Sequence, residues 1–296
     1  MSKTLRIIGI PMDLGQTQRG VDMGPSALRY AGLTSRLEKL GYSIKDMGNI
    51  NVPLRYTLPS HSQTVLLGAI EQACMDSYQQ ASDAVKAGDI PIFLGGDHSI
   101  AIGTIGGITH YERCGIIWID AHGDFNTPQT SHSGNFHGMA LAALMGKGAG
   151  NLIDLGRKGP KLIAEDVIVI GLRDLDSLEK SALKKSGITI YTMRDVDERG
   201  ISSIMHEALA KLAHLSRLHV SLDMDCVDPS SAPGVGTPSH GGLTYREAQL
   251  LMEIIADSKR LSSLDIVEVN PILDQRNKTA EVAVQLTASL FGKSII

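Results

Sequence analysis

Residues 115–126 read GIIWIDAHGDFN, an apolar run that passes directly into a cluster of polar side chains. The first part, Gly115–Ile119, is rich in β-branched residues and carries no charged side chain. An apolar run of this length is typical of a strand that is covered on both faces, as in a parallel sheet. Since the polar part, Asp120–Asn126, begins where that strand ends, the stretch predicts a buried strand with a site at its carboxyl end.

Similar short runs recur along the chain and alternate with longer stretches of helical periodicity. Strands are predicted at Leu5–Ile10, Ser43–Asp46, Ile90–Leu94, Gly115–Ile119, Val167–Ile170, Ile188–Tyr191, Leu218–Leu222 and Ser263–Val269. Helices are predicted at Pro25–Leu40, Thr64–Ala87, Ser177–Lys185, Ser202–His214, Tyr245–Ala256 and Lys278–Phe291. This alternation predicts an α/β fold of three α/β/α layers with a largely parallel, eight-stranded sheet. Because no repeat or linker interrupts it, we expect one domain over residues 1–296.

Composition excludes several classes of protein. The 296 residues carry a net charge of −4 with a pI of about 6.2, so no nucleic-acid partner and no anionic membrane surface is expected. The cysteines Cys74, Cys114 and Cys226 lie far apart without a Cys-x-x-Cys pair, which argues against a disulfide framework and a structural zinc site. The amino terminus lacks a signal-peptide layout and no apolar run has membrane-helix length, so we expect a cytoplasmic protein.

Polar residues follow other predicted strands at the same relative place. Ile90–Leu94 runs into GGDHS at 95–99, Leu218–Leu222 runs into DMDCVDP at 223–229, and Glu268 lies near the end of Ser263–Val269. Ligands of open parallel sheets bind at the carboxyl ends of the strands. The sequence therefore predicts that these polar residues share one site.

The residue types in these segments indicate a metal centre. Asp120, His122 and Asp124 are spaced by two, which in an extended chain directs their side chains the same way, and Asp223 and Asp225 repeat the spacing. Together with His98 they supply four carboxylates and two imidazoles without a thiolate. An oxygen-rich set of this kind favours Mn²⁺ over a structural zinc site, and six residues with bridging carboxylates can hold two divalent cations. Two such cations lower the pKa of a water bound between them, which predicts a hydrolase.

The alternative interpretation of each motif is a structural one. Most single Asp-x-His and Asp-x-Asp pairs are loop caps or solvated turns, but three such segments at three strand ends favour a shared metal site. His137 alone fits either packing at a helix start or proton transfer. Four other histidines are expected at the surface: His110, His132, His206 and His214.

Segments spread over nearly the whole chain resemble one family. They are GIPMDLG at 9–15, RGVDMGPS at 19–26, GGDHS at 95–99, DAHGDFN at 120–126, SGNFHG at 133–138, SLDMDCVDP at 221–229, GVGTP at 234–238, GGLTYRE at 241–247 and VEVNP at 267–271. Together they are similar to the ureohydrolase family, and within it to the arginases of the bacterial Bacillus type. The resemblance implies the fold that this family shares with deacetylase-like enzymes.

The resemblance also implies a division of labour among the site residues. One Mn²⁺ would be held by His98, Asp120, Asp124 and Asp223, and the other by Asp120, His122, Asp223 and Asp225, so that Asp120 and Asp223 bridge. A hydroxide between the two ions would attack the guanidinium carbon of L-arginine and give urea and L-ornithine. Asp124 would orient that hydroxide, His137 would shuttle protons as general acid or base, and Glu268 would pair with the guanidinium.

Substrate contacts follow from the same resemblance. Asn126, Ser131 and Ser133 would read the α-carboxylate, Asp176 and Glu179 would meet the α-ammonium, and Thr237 would complete the pocket. The remaining contacts implied are His122, Gly123, Asp124, Phe125, Gly134, Asn135 and Glu268. As a set they favour arginine over agmatine, which lacks the carboxylate. An agmatinase or guanidinobutyrase is the alternative enzyme, and a catalytically silent metal-binding protein is the alternative from another class.

Two residues depart from the pattern expected of the family. His132 lies in the segment assigned to the carboxylate, and Cys226 stands beside a ligand where glycine is common, so its oxidation could disturb the site. The resemblance further implies a homotrimer or homohexamer, for which the helix Lys278–Phe291 and nearby Arg276 are the interface candidates.

Overall fold

The structure, a computed structural model, describes residues 4–294. Its strands form one sheet in which every neighbouring pair is parallel, in the order β2-β1-β3-β8-β7-β4-β5-β6. The strands are β1 Thr4–Ile10, β2 Ser43–Asn49, β3 Ile90–Gly95, β4 Gly115–Ile119, β5 Val167–Leu172, β6 Thr189–Thr192, β7 Leu218–Asp223 and β8 Leu261–Val267. The predicted eight-stranded α/β fold is confirmed, and each predicted strand overlaps an observed one.

Helices cover both faces of this sheet. They are α1 Gly24–Tyr30, α2 Leu33–Glu38, α3 Gln63–Lys86, α4 Ala101–Ile108, α5 Ala140–Leu144, α6 Gly150–Ile153, α7 Ser177–Lys184, α8 Met193–Arg199, α9 Ile201–Lys211, α10 Tyr245–Asp257 and α11 Lys278–Leu290. One buried cluster joins one face of the sheet to α1, α2 and α8 to α11. A second cluster joins the other face to α3, α4 and α5. The sequence of β4 is apolar throughout because both of its faces are covered. Ile117 and Ile119 belong to the first cluster, and Ile116 and Trp118 belong to the second.

The single helix predicted over Pro25–Leu40 is wrong. The chain forms α1 and α2 there, and Gly32 interrupts them with a φ of 85°, in the left-handed region that glycine adopts without a steric penalty. The helix predicted over Ser202–His214 ends earlier, at Lys211.

Helices α4, α5, α6 and α8 were not predicted. Residues 101–108 read AIGTIGGI, and all eight are buried, so α4 lacks the polar face that helical periodicity requires. A Cβ at Gly103 would lie 2.2 Å from the backbone oxygen of Cys74, and one at Gly107 would lie 2.3 Å from that of Tyr78. These glycines therefore let α4 pack directly against the backbone of α3.

The strand order places the polar motifs side by side. Strands β3, β8, β7 and β4 are consecutive in the sheet, and their carboxyl ends lead into His98, Glu268, Asp225 and Asp120. Within residues 4–294, no helix has the length and apolar character needed to cross a membrane.

Candidate metal centre

Asp120 and Asp223 are the ligand candidates that the sheet positions directly. Asp223 is the last residue of β7, and the backbone N–H of Asp120 still donates to the carbonyl of Ile170 in β5. Each carboxylate then accepts a hydrogen bond from the backbone two residues later, from His122 to Asp120 Oδ1 at 2.7 Å and from Asp225 to Asp223 Oδ1 at 2.9 Å. The spacing of two therefore belongs to a side-chain turn and not, as predicted, to an extended chain.

His98 is the centre of the first group of ligand atoms. It opens the 3₁₀ turn His98–Ile100 after β3, and its Nδ1 lies 3.1 Å from Oδ2 of each of Asp120, Asp124 and Asp223. One ring nitrogen cannot hydrogen-bond to three carboxylates at once. Within residues 4–294, His98 Nδ1 and Asp124 Oδ2 are both buried without a hydrogen-bond partner. Four converging ligand atoms, two of them without a hydrogen-bond partner, fit a shared cation.

A second group shares Asp120 with the first. Asp120, His122 and Asp225 each offer an atom within 4.8 Å of the others, as do His98, Asp120 and Asp124. His122 Nδ1 lies 2.9 Å from Asp225 Oδ2 and 3.6 Å from Asp120 Oδ1. All six predicted ligands thus come together in two adjoining groups. A third set of Glu165, Asp166 and His214 lies elsewhere, where Arg113 already pairs with both carboxylates.

Neighbouring side chains fix the orientation of these ligands. His98 Nε2 hydrogen-bonds to Ser221 Oγ at 2.8 Å, and the ring stacks on Trp118 with centroids 4.1 Å apart. Trp118 Nε1 donates to Asp120 Oδ2 at 2.9 Å, and Thr237 Oγ1 donates to Asp225 Oδ2 at 3.2 Å. Such contacts set the ring and carboxylate orientations that a metal site needs. Trp118 and Ser221 were not predicted, although each lies two residues before a ligand candidate on the same face of its strand.

The ionisation of the carboxylates reflects crowded negative charge. Burial, and then the charge of Asp120, raises the pKa of Asp124 to about 6, and burial with Asp225 raises the pKa of Asp223 well above its usual value. Burial also opposes ionisation of Asp120, but hydrogen bonds to His122 and His98 outweigh it and lower its pKa. Carboxylates that oppose one another's ionisation in a buried site are stabilised by a divalent cation.

A cavity of about 160 Å³ opens onto this centre. Among the predicted residues it is lined by His122, Asp124, Asn126, His137, Asp176, Glu179, Asp223, Asp225 and Thr237. Asp174 and Gly138 line it as well and were not predicted. Its wall carries six carboxylates and one side-chain amide, which suits a small ligand that carries positive charge.

The segment 131–135 lies differently from the predicted arrangement. Ser133, Gly134 and Asn135 line a neighbouring cavity of about 140 Å³, together with Gln16, Arg55 and His61. Ser131 Oγ accepts a hydrogen bond from the N–H of Gly134, and Ser133 Oγ accepts one from Asn135. Both hydroxyls thus shape their own turn, because Ser and Thr side chains readily bond to nearby backbone.

Gly123 and Phe125 act on the cavity through Glu179. The backbone N–H of Phe125 donates to Glu179 Oε1 at 2.8 Å, and a Cβ at Gly123 would lie 2.8 Å from the same oxygen. The Glu179 side chain is therefore held against the loop that carries the ligand candidates His122 and Asp124. Burial raises its pKa to about 7. The Phe125 side chain itself is buried in the core.

Glu268 and His137 form an ion pair beside the centre. Glu268 lies beyond β8, contrary to its predicted place within a strand, because its φ of 64° turns the chain out of the sheet. Its Oε1 accepts hydrogen bonds at 3.0 Å from the His98 N–H and from His137 Nδ1. Burial opposes the charge on His137, but Glu268 outweighs it and raises the pKa of His137 to about 9.

The two residues that depart from the family pattern differ in exposure, since Cys226 is buried and His132 is exposed. Cys226 is fully buried, and burial raises its pKa well above 9. A buried thiol of raised pKa is a poor target for oxidation, so the structure argues against the predicted redox sensitivity. His132 is exposed, as are His110, His206 and His214, which confirms their predicted surface positions.

Comparisons with known proteins agree with this arrangement. The family model "Arginase family" matches residues 3–292. The arginase of Bacillus caldovelox is 52% identical over 99% of this chain and 100% of its own length, and that of Brevibacillus brevis is 47% identical over 100% of both. The solved structure of the Bacillus caldovelox arginase superposes with a TM-score of 0.96 at 51% identity, covering 99% of this chain and 100% of the other. The chain therefore belongs to the arginase family and is a hydrolase of the ureohydrolase type.

Proposed function

We propose that this enzyme hydrolyses L-arginine to L-ornithine and urea with two Mn²⁺ ions per subunit. The observation that carries the proposal is the sharing of Asp120 between two adjoining ligand groups beside the Glu268–His137 pair. The relatives named arginase match the chain over its full length, which supports the same reaction here.

The six ligands would hold the ions in the predicted pattern. His98, Asp120, Asp124 and Asp223 would bind one, and Asp120, His122, Asp223 and Asp225 the other, with Asp120 and Asp223 common to both. Four carboxylates and two imidazoles suit Mn²⁺. When bound, the two ions supply a nucleophile by lowering the pKa of a water toward neutrality.

The chain's own residues would place and protonate the substrate. The guanidinium carbon is a poor electrophile, because resonance spreads its charge, so it has to be held firmly in position. Glu268 supplies a buried carboxylate for the guanidinium. His137 lines the cavity and, with a raised pKa, holds a proton at neutral pH that the leaving amine requires. Asp124 orients the attacking water and accepts its proton.

The far wall of the cavity would bind the α-carboxylate and the α-ammonium of the substrate. Asn126 Nδ2 donates to Asp176 Oδ2 at 3.3 Å, so the two side chains fix each other at the wall. Asn126 offers a neutral donor to a carboxylate, and Asp176 and Glu179 offer negative charge to an ammonium. Gly123 and Phe125 would assist through Glu179, and Thr237 through Asp225.

An agmatinase or guanidinobutyrase remains the second candidate because of one observation. Ser131 and Ser133 bond to their own loop, and Ser133 lines the neighbouring cavity with Gly134 and Asn135. Recognition of the carboxylate then depends mainly on Asn126. We propose that the serine hydroxyls, whose oxygens accept from the turn, use an O–H donor to contact the substrate carboxylate, which keeps arginine as the substrate.

A urea assay separates these functions. Mn²⁺-loaded protein should release urea from L-arginine, and an Asp120→Ala variant should not. Equal release from agmatine or guanidinobutyrate would favour the second candidate, and no release from any of them would favour a silent metal-binding protein.

Assembly and location are further proposals that rest on the family. We propose a homotrimer or homohexamer of single-domain chains in the cytoplasm, without nucleic-acid or membrane partners. Helix α11 is largely buried within its own subunit, so an interface near it would use the preceding segment. There Ile272 and Leu273 are exposed beside Arg276. A monomer by light scattering at micromolar concentration would contradict this assembly.

A further inference from the structure

Gln16 is a buried residue to which neither the sequence analysis nor the proposed mechanism assigns a role. It follows β1 at the carboxyl edge of the sheet and is 2% exposed. Its Nε2 donates to Glu268 Oε2 at 2.8 Å. A carboxylate only accepts hydrogen bonds, so the nitrogen of the amide has to face Glu268 and the oxygen has to face away.

The amide oxygen of Gln16 has no partner. Within residues 4–294, Gln16 Oε1 is a buried acceptor without a hydrogen bond. A buried acceptor without a hydrogen bond destabilises the fold unless something else satisfies it. This oxygen is therefore poised for a donor that comes from outside the chain.

The backbone around Gln16 is held rigidly. The N–H of Gly15 donates to Asp97 Oδ2 at 2.8 Å, and the carbonyl of Gly15 accepts from the N–H of His137 at 3.0 Å. The guanidinium of Arg55 donates to the carbonyl of Gln16 itself. The amide thus has a fixed place relative to both Glu268 and His137, and it is pre-organised before any ligand binds.

Gly236 packs directly against both side chains, and its lack of a side chain lets them approach. A Cβ at this position would lie 2.7 Å from Gln16 Oε1 and 3.0 Å from Glu268 Oε2. The next residue, Thr237, lines the cavity over the metal centre. Two acceptor oxygens, one charged and one neutral, therefore lie together against Gly236, next to a residue that lines the site.

We propose that Gln16 is a second guanidinium-binding residue, whose Nε2 orients Glu268 and whose Oε1 accepts a guanidinium N–H. A guanidinium carries five N–H donors, and the two oxygens of Glu268 already accept from His98, His137 and Gln16. A neutral acceptor adds a hydrogen bond without a second negative charge beside Glu268. The proposal rests on the proposed function, because it needs a guanidinium substrate.

The decisive experiment compares Gln16→Met with Gln72→Met, a change on the exposed face of α3. Methionine keeps the length of the side chain and removes both polar atoms. For Gln16→Met we expect KM for L-arginine to rise and kcat/KM to fall by about 10- to 100-fold, as for a lost hydrogen bond to a charged group. The inhibition constant of L-norvaline, an α-amino acid without a guanidinium, should stay the same. Gln72→Met should match the wild type.

A second variant, Gly236→Ala, keeps the Gln16 amide but adds a methyl group that has to displace Gln16 Oε1 or Glu268 Oε2. Gly236→Ala should raise KM for L-arginine, as Gln16→Met does, and should leave the inhibition constant of L-norvaline unchanged. If either variant lowers the affinity for L-arginine and for L-norvaline in parallel, Gln16 has a structural role only and the inference is overturned. The same conclusion follows if Gln16→Met leaves KM for L-arginine unchanged. A wild-type protein that releases no urea would instead contradict the proposed function, so the two failures are distinguishable.

Discussion

His98 Nδ1 and Asp120 Oδ2 lie 3.1 Å apart at the point where two groups of ligand atoms meet. The other oxygen of Asp120 faces His122, so one carboxylate serves both groups. Trp118 fixes that carboxylate with a hydrogen bond and at the same time stacks on the ring of His98. Both groups of ligand atoms therefore depend on the side chain of Asp120.

We expect Asp120→Asn to remove metal from both positions, because each ligand group loses its shared charged oxygen. The variant should bind fewer than two Mn²⁺ per chain under conditions that load the wild type fully, measured by elemental analysis after gel filtration. Asp257→Asn, at an exposed position at the end of α10, is the matched control and should bind metal normally. Full loading of Asp120→Asn would show that Asp120 is not shared.

Ser221→Ala should weaken metal binding without removing a ligand. The hydroxyl of Ser221 fixes the ring of His98 through Nε2, and loss of such a contact typically lowers metal affinity by about 10- to 100-fold. Competition with a chelator measures the affinity. Ser263→Ala is the control, since Ser263 is equally buried and hydrogen-bonds to His219 in the neighbouring strand. Equal losses of metal affinity in both variants would indicate a general effect on the sheet.

Glu268→Gln should separate guanidinium binding from metal binding. Removal of one partner of a buried charge pair costs about 2–5 kcal/mol, so kcat/KM for arginine should fall accordingly while the metal content stays unchanged. Because Glu268 raises the pKa of His137, that pKa should fall from about 9 in the variant. Titration of the His137 ring by NMR in metal-free protein measures the shift. A pKa of His137 that is the same in both proteins would contradict the ion pair.

Asp228 should contribute to stability in acid. Hydrogen bonds from Ser230 first, and then from Gly241 and Gly242, lower the pKa of Asp228 to about 2. A carboxylate whose pKa is lower in the folded state stabilises the fold above its unfolded pKa, and the contribution disappears as the pH falls through the folded value. Asp228→Asn should therefore lower Tm at pH 7, and the difference from the wild type should shrink from about pH 4 toward pH 2. A difference in Tm that does not vary with pH would refute this origin.

The strands were predictable because burial on both faces leaves an unbroken apolar run, as in Gly115–Ile119. Helix α4 was not, because it is buried on all sides and its glycines serve contacts with Cys74 and Tyr78 that only the packed structure reveals. The break at Gly32 depends on a left-handed φ that glycine permits but does not require.

The candidate site, like the fold, could be predicted from the sequence only in part. The ligands could be predicted because each follows a strand in a short motif, and parallel strands end at a common edge. Most of the supporting contacts could not, because they join distant segments, as when Gln16 contacts Glu268 across 252 positions. The orientation of Ser131 and Ser133 was unpredictable for another reason. A serine hydroxyl can hydrogen-bond either to a ligand or to the backbone of its own turn, and here both bond to the turn.

The proposed function is tested most directly by the rate of urea release by Mn²⁺-loaded protein from L-arginine and from agmatine, measured side by side. We predict urea from L-arginine in equal amount with L-ornithine, and far slower release from agmatine, because agmatine lacks the carboxylate that we propose Asn126 binds. Absence of urea from L-arginine, or release from agmatine at the same rate, would contradict the central claim.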